Sequence, residues 1–212
     1  MPFVKWGNAF FDVDNDGWLD LIFVNGHVYP QVAALPSGAG YRQHGVLQLN
    51  QGNGTFCNAS DQAGPALMQP RTSRGLAVGD LFNDGQLDVV VEDIDGAPMI
   101  LRNRGVPGRH WVSLELAGTK SNRLAIGARI KLSAGGITQT DQIRSGGSYL
   151  SQSDFRVHFG LGTATRIDSV EIRWPSGTTD VIKNLEVDKF YNALEGKGLV
   201  PFEQIRPTVP SN

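Results

Sequence analysis

The sequence predicts an all-β protein in two parts, in which repeated blade-like sheets are followed by an antiparallel β-sandwich-like domain. Short runs alternate apolar and polar residues, as where Val170, Ile172 and Trp174 flank Glu171 and Arg173. Gly is abundant, at 26 of 212 residues, which suits a chain with many tight turns. A third observation is an acidic motif in the N-terminal half that occurs twice.

The repeated motif reads FDVDNDGWLDLIFVNG at 11–26 and GDLFNDGQLDVVVED at 79–93, so its copies lie 68 positions apart. The triplet Asn50-Gln51-Gly52 recurs as Asn103-Arg104-Gly105, 53 positions later. The first repeat therefore holds about 15 extra residues, most simply within the Pro- and Gly-rich segment 28–45. Each repeat reads as strand, acidic loop, strand, connector, strand and turn, which predicts one blade-like sheet per repeat.

The first acidic loop has the spacing of an oxygen-only cation site. Carboxylates alternate along D-x-D-x-D-G-x-x-D, and Gly17 supplies the sharp turn. Hard anionic oxygens suit Ca²⁺. The loop is not an EF-hand, because Phe23 stands where that motif needs a bidentate Glu, and apolar strand-like residues follow. The predicted calcium ligands are the carboxylates of Asp12, Asp14, Asp16 and Asp20 and the carbonyl of Trp18.

The second acidic loop lacks one of these carboxylates, because Phe82 stands at its third position. Its candidate calcium ligands are Asp80, Asp84, Asp88 and the carbonyl of Gln86. For either loop the alternative is a turn rich in Asp, Asn and Gly that closes a hairpin without metal, since these residues favour turns in any case.

The second half contains about seven short strand-like runs separated by Gly and Ser-Gly turns, which predicts an antiparallel sandwich. Charge also changes along the chain. Residues 1–106 carry 6 Lys and Arg against 11 Asp and Glu, whereas 107–212 carry 13 against 10. The sequence therefore predicts two blades over 1–106, a sandwich-like domain over 107–198 and a Pro-rich tail over 199–212.

The acidic loops and their flanking strands resemble the FG-GAP repeat, also called the VCBS repeat. The resemblance covers roughly residues 5–105. It implies blades of a β-propeller, with calcium in loops on one face. Because two blades cannot close a ring, we expect this chain to be the C-terminal part of a longer protein whose N-terminal blades are missing here.

Residues 109–195 resemble the ASPIC/UnbV domain, which follows FG-GAP repeats in the cartilage acidic protein family and its bacterial relatives. The motifs that carry this resemblance are Asn122-Arg123, Ile126-Gly127-Ala128-Arg129, the run SGGSYLSQ at 145–152, His158-Phe159-Gly160-Leu161-Gly162 and Trp174-Pro175-Ser176-Gly177. The resemblance implies a secreted, periplasmic or cell-surface protein that depends on calcium and acts in adhesion. No signal peptide is visible in this chain, as expected if it is truncated.

The run at 145–152 is a candidate ligand-binding loop. Its two adjacent glycines allow close backbone approach to a ligand, and its hydroxyl and amide groups would suit a sugar or a peptide. The alternative is a structural loop whose hydroxyls satisfy nearby backbone groups. The candidate ligand-binding residues are Ser145, Gly146, Gly147, Ser148, Tyr149, Ser151 and Gln152.

Composition narrows the functional classes. The net charge of −2 argues against nucleic acid as the main partner, no apolar run is long enough to span a membrane, and Cys57 as the lone cysteine excludes an internal disulfide. We therefore expect a calcium-binding, non-enzymatic adhesion or interaction module with a protein or glycan ligand. The alternative is an accessory protein or enzyme of secondary metabolism, of the type found beside enediyne gene clusters, with a pocket between blades and sandwich.

Overall fold

The computed structural model describes residues 3–34, 39–94 and 96–205. The chain divides into two compact units. The first comprises the residues up to Val13, Trp18–Gly105 and Gly146–Asp154, and the second comprises Asp14–Gly17, Val106–Ser145 and the residues from Phe155 onward. The main boundary thus lies at Gly105/Val106. Two short segments are exceptions: Asp14–Gly17 belong to the second unit although they precede this boundary, and Gly146–Asp154 belong to the first although they follow it.

The first unit contains two blade-like antiparallel sheets. One has four strands in the order β1 (Lys5–Phe11), β2 (Asp20–Asn25), β3 (Val46–Asn50) and β4 (Phe56–Asn58). The other has three strands, β5 (Ser73–Gly79), β6 (Asp88–Asp93) and β7 (Met99–Leu101). Short 3₁₀ helices at Pro30–Ala34 and Ser60–Ala63 and the single turn α1 (Pro65–Met68) lie in the connections. The sheets of both units confirm the expected all-β class.

Opposite faces of the two repeated sheets meet in one apolar core. Ile22 and Val24 of β2 and Val89 and Val91 of β6 are all buried there. Under the 68-residue offset, Val89 and Val91 correspond to Leu21 and Phe23, which alternate with the buried β2 residues. Successive strand residues point to opposite faces of a sheet. The two sheets therefore bury opposite faces of the same repeated sequence in this core.

The second unit is a sandwich of two four-stranded sheets. The strands in chain order are β8 (His110–Ala117), β9 (Arg129–Ala134), β10 (Ile137–Gln142), β11 (Val157–Gly162), β12 (Arg166–Arg173), β13 (Thr179–Glu186), β14 (Lys189–Leu194) and β15 (Gly198–Leu199). One sheet has the order β10-β9-β12-β13 and the other β11-β8-β14-β15. One pairing departs from the antiparallel expectation, because β14 runs parallel to β8. The long connection between these two strands permits the parallel arrangement.

The main core of the sandwich lies between its sheets, and both sheets contribute to it. Leu114 of β8, Leu132 of β9 and Val170 and Ile172 of β12 are fully buried in it. Trp174 is also buried, and its indole N–H donates to Asp180 Oδ2 at 2.8 Å, so the polar atom of this large side chain is satisfied.

The predicted tail is ordered at its start. After β15, the single turn α2 (Phe202–Ile205) buries Ile205 against Ala117 and Leu194. The remaining tail residues, 206–212, lie outside the described residues, as do 35–38 of the predicted extra segment. Among the helices that the structure describes, none is long and apolar enough to cross a bilayer.

Candidate metal centre

The first acidic loop is the connection of the β1–β2 hairpin. Phe11 at the end of β1 pairs with Asp20 at the start of β2, so residues 12–19 form the bend between them. Asn15 and Gly17 take left-handed backbone conformations, with φ of 58° and 93°. Asn and Gly are the residues that adopt this conformation at least cost, which explains their places in the bend.

Three carboxylates converge in this bend. Oxygen atoms of Asp12, Asp14 and Asp20 all lie within 4.8 Å of one another. The side chains of Asp12 and Asp20 are buried, with 4% and 2% of their surface exposed. At an effective dielectric of ~20, two such charges ~5 Å apart repel by roughly 3 kcal/mol. The bend therefore concentrates negative charge that a bound cation would neutralise.

One oxygen of this cluster has no hydrogen-bond donor. Oδ1 of Asp14 is buried and has no partner among the described residues. A buried carboxylate oxygen without a partner is costly in free energy. An N–H group, an O–H group or a hard cation would each satisfy it. The carboxylates present in the bend thus fit a calcium ion.

Asp16 and Trp18 are placed differently from these three. Asp16 lies outside the group of converging carboxylates that the described residues form. The indole of Trp18 covers the turn at Gly52, where an added Cβ would lie 3.1 Å from its Nε1 atom. The roles of the Asp16 carboxylate and the Trp18 carbonyl stay predictions.

Asp20 also has a structural role. Its Oδ2 accepts the backbone N–H of Val13 at 2.9 Å, and its Oδ1 accepts that of Asn50 at 2.8 Å. Asn50 Oδ1 in turn accepts the N–H of Gly52 at 3.0 Å. This carboxylate therefore joins the acidic bend to the third strand of its blade. The repeated Asn-x-Gly triplet was the sequence pattern that marked this connection.

The second acidic loop repeats that structural role. Asp88 accepts the N–H groups of Leu81 at 3.0 Å and Asn103 at 2.9 Å. Gly105 donates to Asn103 Oδ1 at 2.9 Å, as Gly52 does to Asn50. The side chain of Gln86 covers Gly105 as Trp18 covers Gly52, so the two repeats place equivalent residues in the same arrangement here.

The remaining carboxylates of the second loop are engaged by protein donors. Asp80 accepts N–H groups from Asp84 at 3.1 Å and Gly85 at 2.8 Å. Asp84 Oδ2 lies 3.2 Å from a guanidinium nitrogen of Arg102. Within the described ranges, the carboxylates of this loop do not converge as those of the first loop do. The Gln86 carbonyl stays a predicted ligand.

The loop at 145–152 donates and accepts hydrogen bonds within the first unit. Ser148 Oγ accepts the N–H of Asn8 at 2.9 Å, and Ser151 Oγ accepts that of Leu76 at 3.0 Å. Tyr149 packs edge-on against Trp6, with ring centres 4.9 Å apart. Gly146 and Gly147 have φ of 77° and 139°. The Gly146 N–H donates to Gln152 Oε1, which closes the loop.

These contacts bear on the two interpretations of the loop. Ser148 and Ser151 satisfy backbone groups of β1 and β5, as a structural loop would. Ser145 and Tyr149 are exposed, Tyr149 by 42%. Ligand binding by Ser145, Gly146, Gly147, Ser148, Tyr149, Ser151 and Gln152 stays a prediction.

Glu195 is a buried carboxylate that the sequence did not single out. Burial acts to raise its pKa, but donors from Ser121, Ser176, Thr119 and Lys120 outweigh burial and lower the pKa to about 2. The N–H groups of Thr119, Lys120 and Ser121 all lie within 2.8 Å of its Oε2. Glu195 therefore fixes the bend before Asn122 and is ionised at neutral pH.

A groove of about 430 Å³ crosses the outer face of one sandwich sheet. Its charged lining residues are Arg129, Lys131, Arg144 and Arg173 against Asp141 and Glu171, which leaves a net charge of +2. Arg129 lies directly opposite Arg173 across β9 and β12. Like charges in this position repel, so the groove favours an anionic group.

Comparison with known families agrees with both halves of this architecture. Residues 12–91 match the family described as FG-GAP-like repeat, and residues 118–200 match the family described as ASPIC and UnbV. These matches confirm the resemblance of the two halves to these families that was read from the sequence. With the β-rich fold, these matches indicate an extracellular interaction module.

The chain is also similar to human Cartilage acidic protein 1. The two are 27% identical over 188 residues, which cover 87% of this chain. The same alignment covers 27% of the human protein, so the chain spans about a quarter of the length of that relative.

Proposed function

We propose that this chain is a calcium-binding, non-enzymatic interaction module of a secreted, periplasmic or cell-surface protein. Calcium holds the acidic bend of the first blade, and the β-sheets form a rigid scaffold for adhesion to a protein or glycan. The observation that carries this proposal is the convergence of Asp12, Asp14 and Asp20 with the unpartnered Asp14 oxygen.

Calcium in this bend supplies electrostatic neutralisation. Asp12, Asp14 and Asp20 would hold the ion, with Asp16 and the Trp18 carbonyl as further predicted ligands. Because Asp20 also accepts the N–H groups of Val13 and Asn50, holding its carboxylate orders both the bend and the third strand. The ion is therefore proposed to be structural and to stabilise the blade that contains it.

The ligand surface is proposed to lie on the sandwich. The groove over β9, β10 and β12 carries net positive charge. Arg129 and Lys131 have no ion-pair partner within the described part of the chain, so an acidic group of a protein or glycan would gain contacts that the protein itself does not provide. This charge imbalance supports a binding surface.

Further blades of the same polypeptide are proposed to precede this chain. Phe10 on β1 is 61% exposed, whereas its repeat equivalent, Val78 on β5, is 9% exposed and packs against the first sheet's core residues. The face of the first blade that bears Phe10 thus corresponds to a face that the second blade buries. A preceding blade would cover it in the same way.

The calcium proposal is tested by unfolding the chain in excess calcium and in chelator. A ligand that binds only the folded state adds about 2.7 kcal/mol at 100 times its Kd, so the midpoint should rise with calcium. Asp14→Asn should remove most of this rise. Asp168→Asn, which changes an exposed carboxylate on β12, is the matched control and should retain it.

A second measurement reports on the first loop alone. Trp18 lies in that loop, so terbium bound there should show luminescence sensitised by its indole. Calcium should displace the terbium, and Trp18→Phe should abolish the sensitised emission without abolishing calcium binding. Absence of any calcium-dependent shift in the unfolding midpoint would contradict the proposal.

A further inference from the structure

The two acidic loops of this chain differ in how their negative charge is balanced. In the first loop, a buried oxygen of Asp14 has no donor among the described residues. In the second loop, Phe82 stands at the position of Asp14, and each of the three remaining carboxylates has a protein donor. The loops share a motif and differ in the need for a cation.

Arg102 provides positive charge at the second loop. A nitrogen of its guanidinium lies 3.2 Å from Asp84 Oδ2. The same guanidinium stacks on the ring of Phe82, with 4.0 Å between the guanidinium carbon and the ring centre. Phe82, which stands where the first loop has a carboxylate, thus contacts the guanidinium that pairs with Asp84.

The position in the first repeat that is equivalent to Arg102 carries no charge. Asn50 and Asn103 occupy matching places, because each donates its N–H to the final Asp of its own loop. The residue before Asn103 is Arg102, and the residue before Asn50 is Leu49. From one repeat to the other, a carboxylate is lost and a guanidinium is gained, which changes the formal charge near the loop by +2.

Hydrogen bonds between the protein's own groups close the backbone of the second loop. Both oxygens of Asp80 accept N–H groups, from Asp84 and from Gly85, and Asp84 Oδ1 accepts that of Gln86. Asn83 and Gly85 adopt the left-handed conformations, with φ of 53° and 80°, that Asn15 and Gly17 adopt in the first loop. The bend keeps its shape while its oxygens are used by the protein.

We propose that Arg102 takes the place of the divalent cation in the second loop, so that this chain binds one Ca²⁺ and not two. The second blade is then independent of calcium, whereas the first depends on it. This inference rests on the proposed function only for the ion in the first loop. The statement that the second loop binds no calcium is independent of it.

The test is the number of calcium ions bound per full chain, measured by titration calorimetry and by native mass spectrometry. The wild type should bind one, and Asp14→Asn should bind none. The double variant Phe82→Asp with Arg102→Leu, which copies Asp14 and Leu49 of the first repeat, should bind two. Asp84→Asn should leave the wild-type stoichiometry unchanged.

The outcomes separate the two proposals. If the wild type binds none while the double variant binds one, the first-loop proposal fails and the inference on the second loop holds. Two ions on the wild type, with one lost in Asp84→Asn, would overturn the inference. No additional ion on a double variant that unfolds cooperatively would overturn it as well. Should the double variant not fold, Phe82→Asp and Arg102→Leu are measured singly, and each should bind a second ion more weakly than the first; failure of both to do so would overturn the inference.

Discussion

Asn15 and His158 are 143 positions apart, and Nε2 of His158 lies 2.7 Å from Oδ1 of Asn15 within the second unit. Asn15 is 1% exposed and has a left-handed backbone. Gly162 also donates its N–H to the Asn15 carbonyl at 2.8 Å. Burial, and then the charge of Arg156, lower the pKa of His158 to about 3, so the ring is neutral and its Nε2 carries the donated proton.

We expect this histidine to make stability fall as the solution becomes acidic. The folded-state pKa, about 3, lies below the ordinary value of 6.5. Above pH 6.5 both states are neutral at this group; as pH falls, the unfolded state binds a proton first, so stability is lost by up to about 1.4 kcal/mol per pH unit. The window that isolates this residue runs from pH 6.5 to 4.5, above most carboxylate titrations.

Urea unfolding in chelator at several pH values measures this effect. His158→Gln removes the titrating ring and should lose less stability across the window than the wild type does. His27→Gln, which changes a histidine elsewhere, should keep the wild-type slope. Equal slopes for wild type and His158→Gln would show that the ring does not carry the pH dependence.

Glu195→Gln is expected to destabilise the protein at pH 7 by about 1.5–3 kcal/mol, because hydrogen bonds from three backbone N–H groups to an ionised acceptor are weakened. The pKa is lowered to about 2 from 4.5. Its contribution is therefore fully present above pH 4.5 and lost as pH falls towards 2.

The check is chemical denaturation of wild type and Glu195→Gln at pH 7 and at pH 3. The difference between them should shrink at the lower pH. Glu186→Gln changes a carboxylate with 77% of its side chain exposed and should alter stability by less than about 0.5 kcal/mol. A gap between Glu195→Gln and wild type that is independent of pH would argue against this assignment.

Ser151→Ala distinguishes a structural loop from a ligand loop. Leu76 is buried, and its N–H would lose its acceptor, which costs about 1–3 kcal/mol. Ser145→Ala, at an exposed serine of the same run, should have little effect on unfolding. If Ser151→Ala keeps full stability, the hydroxyl is not needed for the blade, and the ligand-binding interpretation gains support.

Charge reversal in the sandwich groove tests the proposed binding surface. Arg129→Glu with Lys131→Glu should weaken binding of a fluorescent peptide of alternating Glu and Ser by roughly tenfold or more at low salt. Lys183→Glu on β13, outside the groove lining, is the control. Fluorescence anisotropy measures both, and equal losses for the two variants would indicate charge attraction without a site.

Several features of the molecule could be predicted from local sequence. The alternation at Val170 and Ile172 predicted a half-buried strand, and the 68-residue repeat predicted two similar sheets. The Asp-rich bends with Asn15-Asp16-Gly17 and Asn83-Asp84-Gly85 predicted tight hairpin connections. These features depend on neighbours in the chain, so a single sequence contains what is needed to infer them.

Other features depend on residues that meet only after folding. Local sequence did not predict that β14 pairs in parallel with β8 or that Arg102 pairs with Asp84. It also did not predict that Glu195 accepts hydrogen bonds from the backbone of the bend at 119–121. The repeat placed Asp16 and Asp84 in equivalent positions, but it could not show which carboxylate oxygens already had donors. Periodicity and turn chemistry determined the strands and bends, whereas burial and long-range hydrogen bonding decided which acidic bend retains an unsatisfied oxygen, because those depend on tertiary contacts.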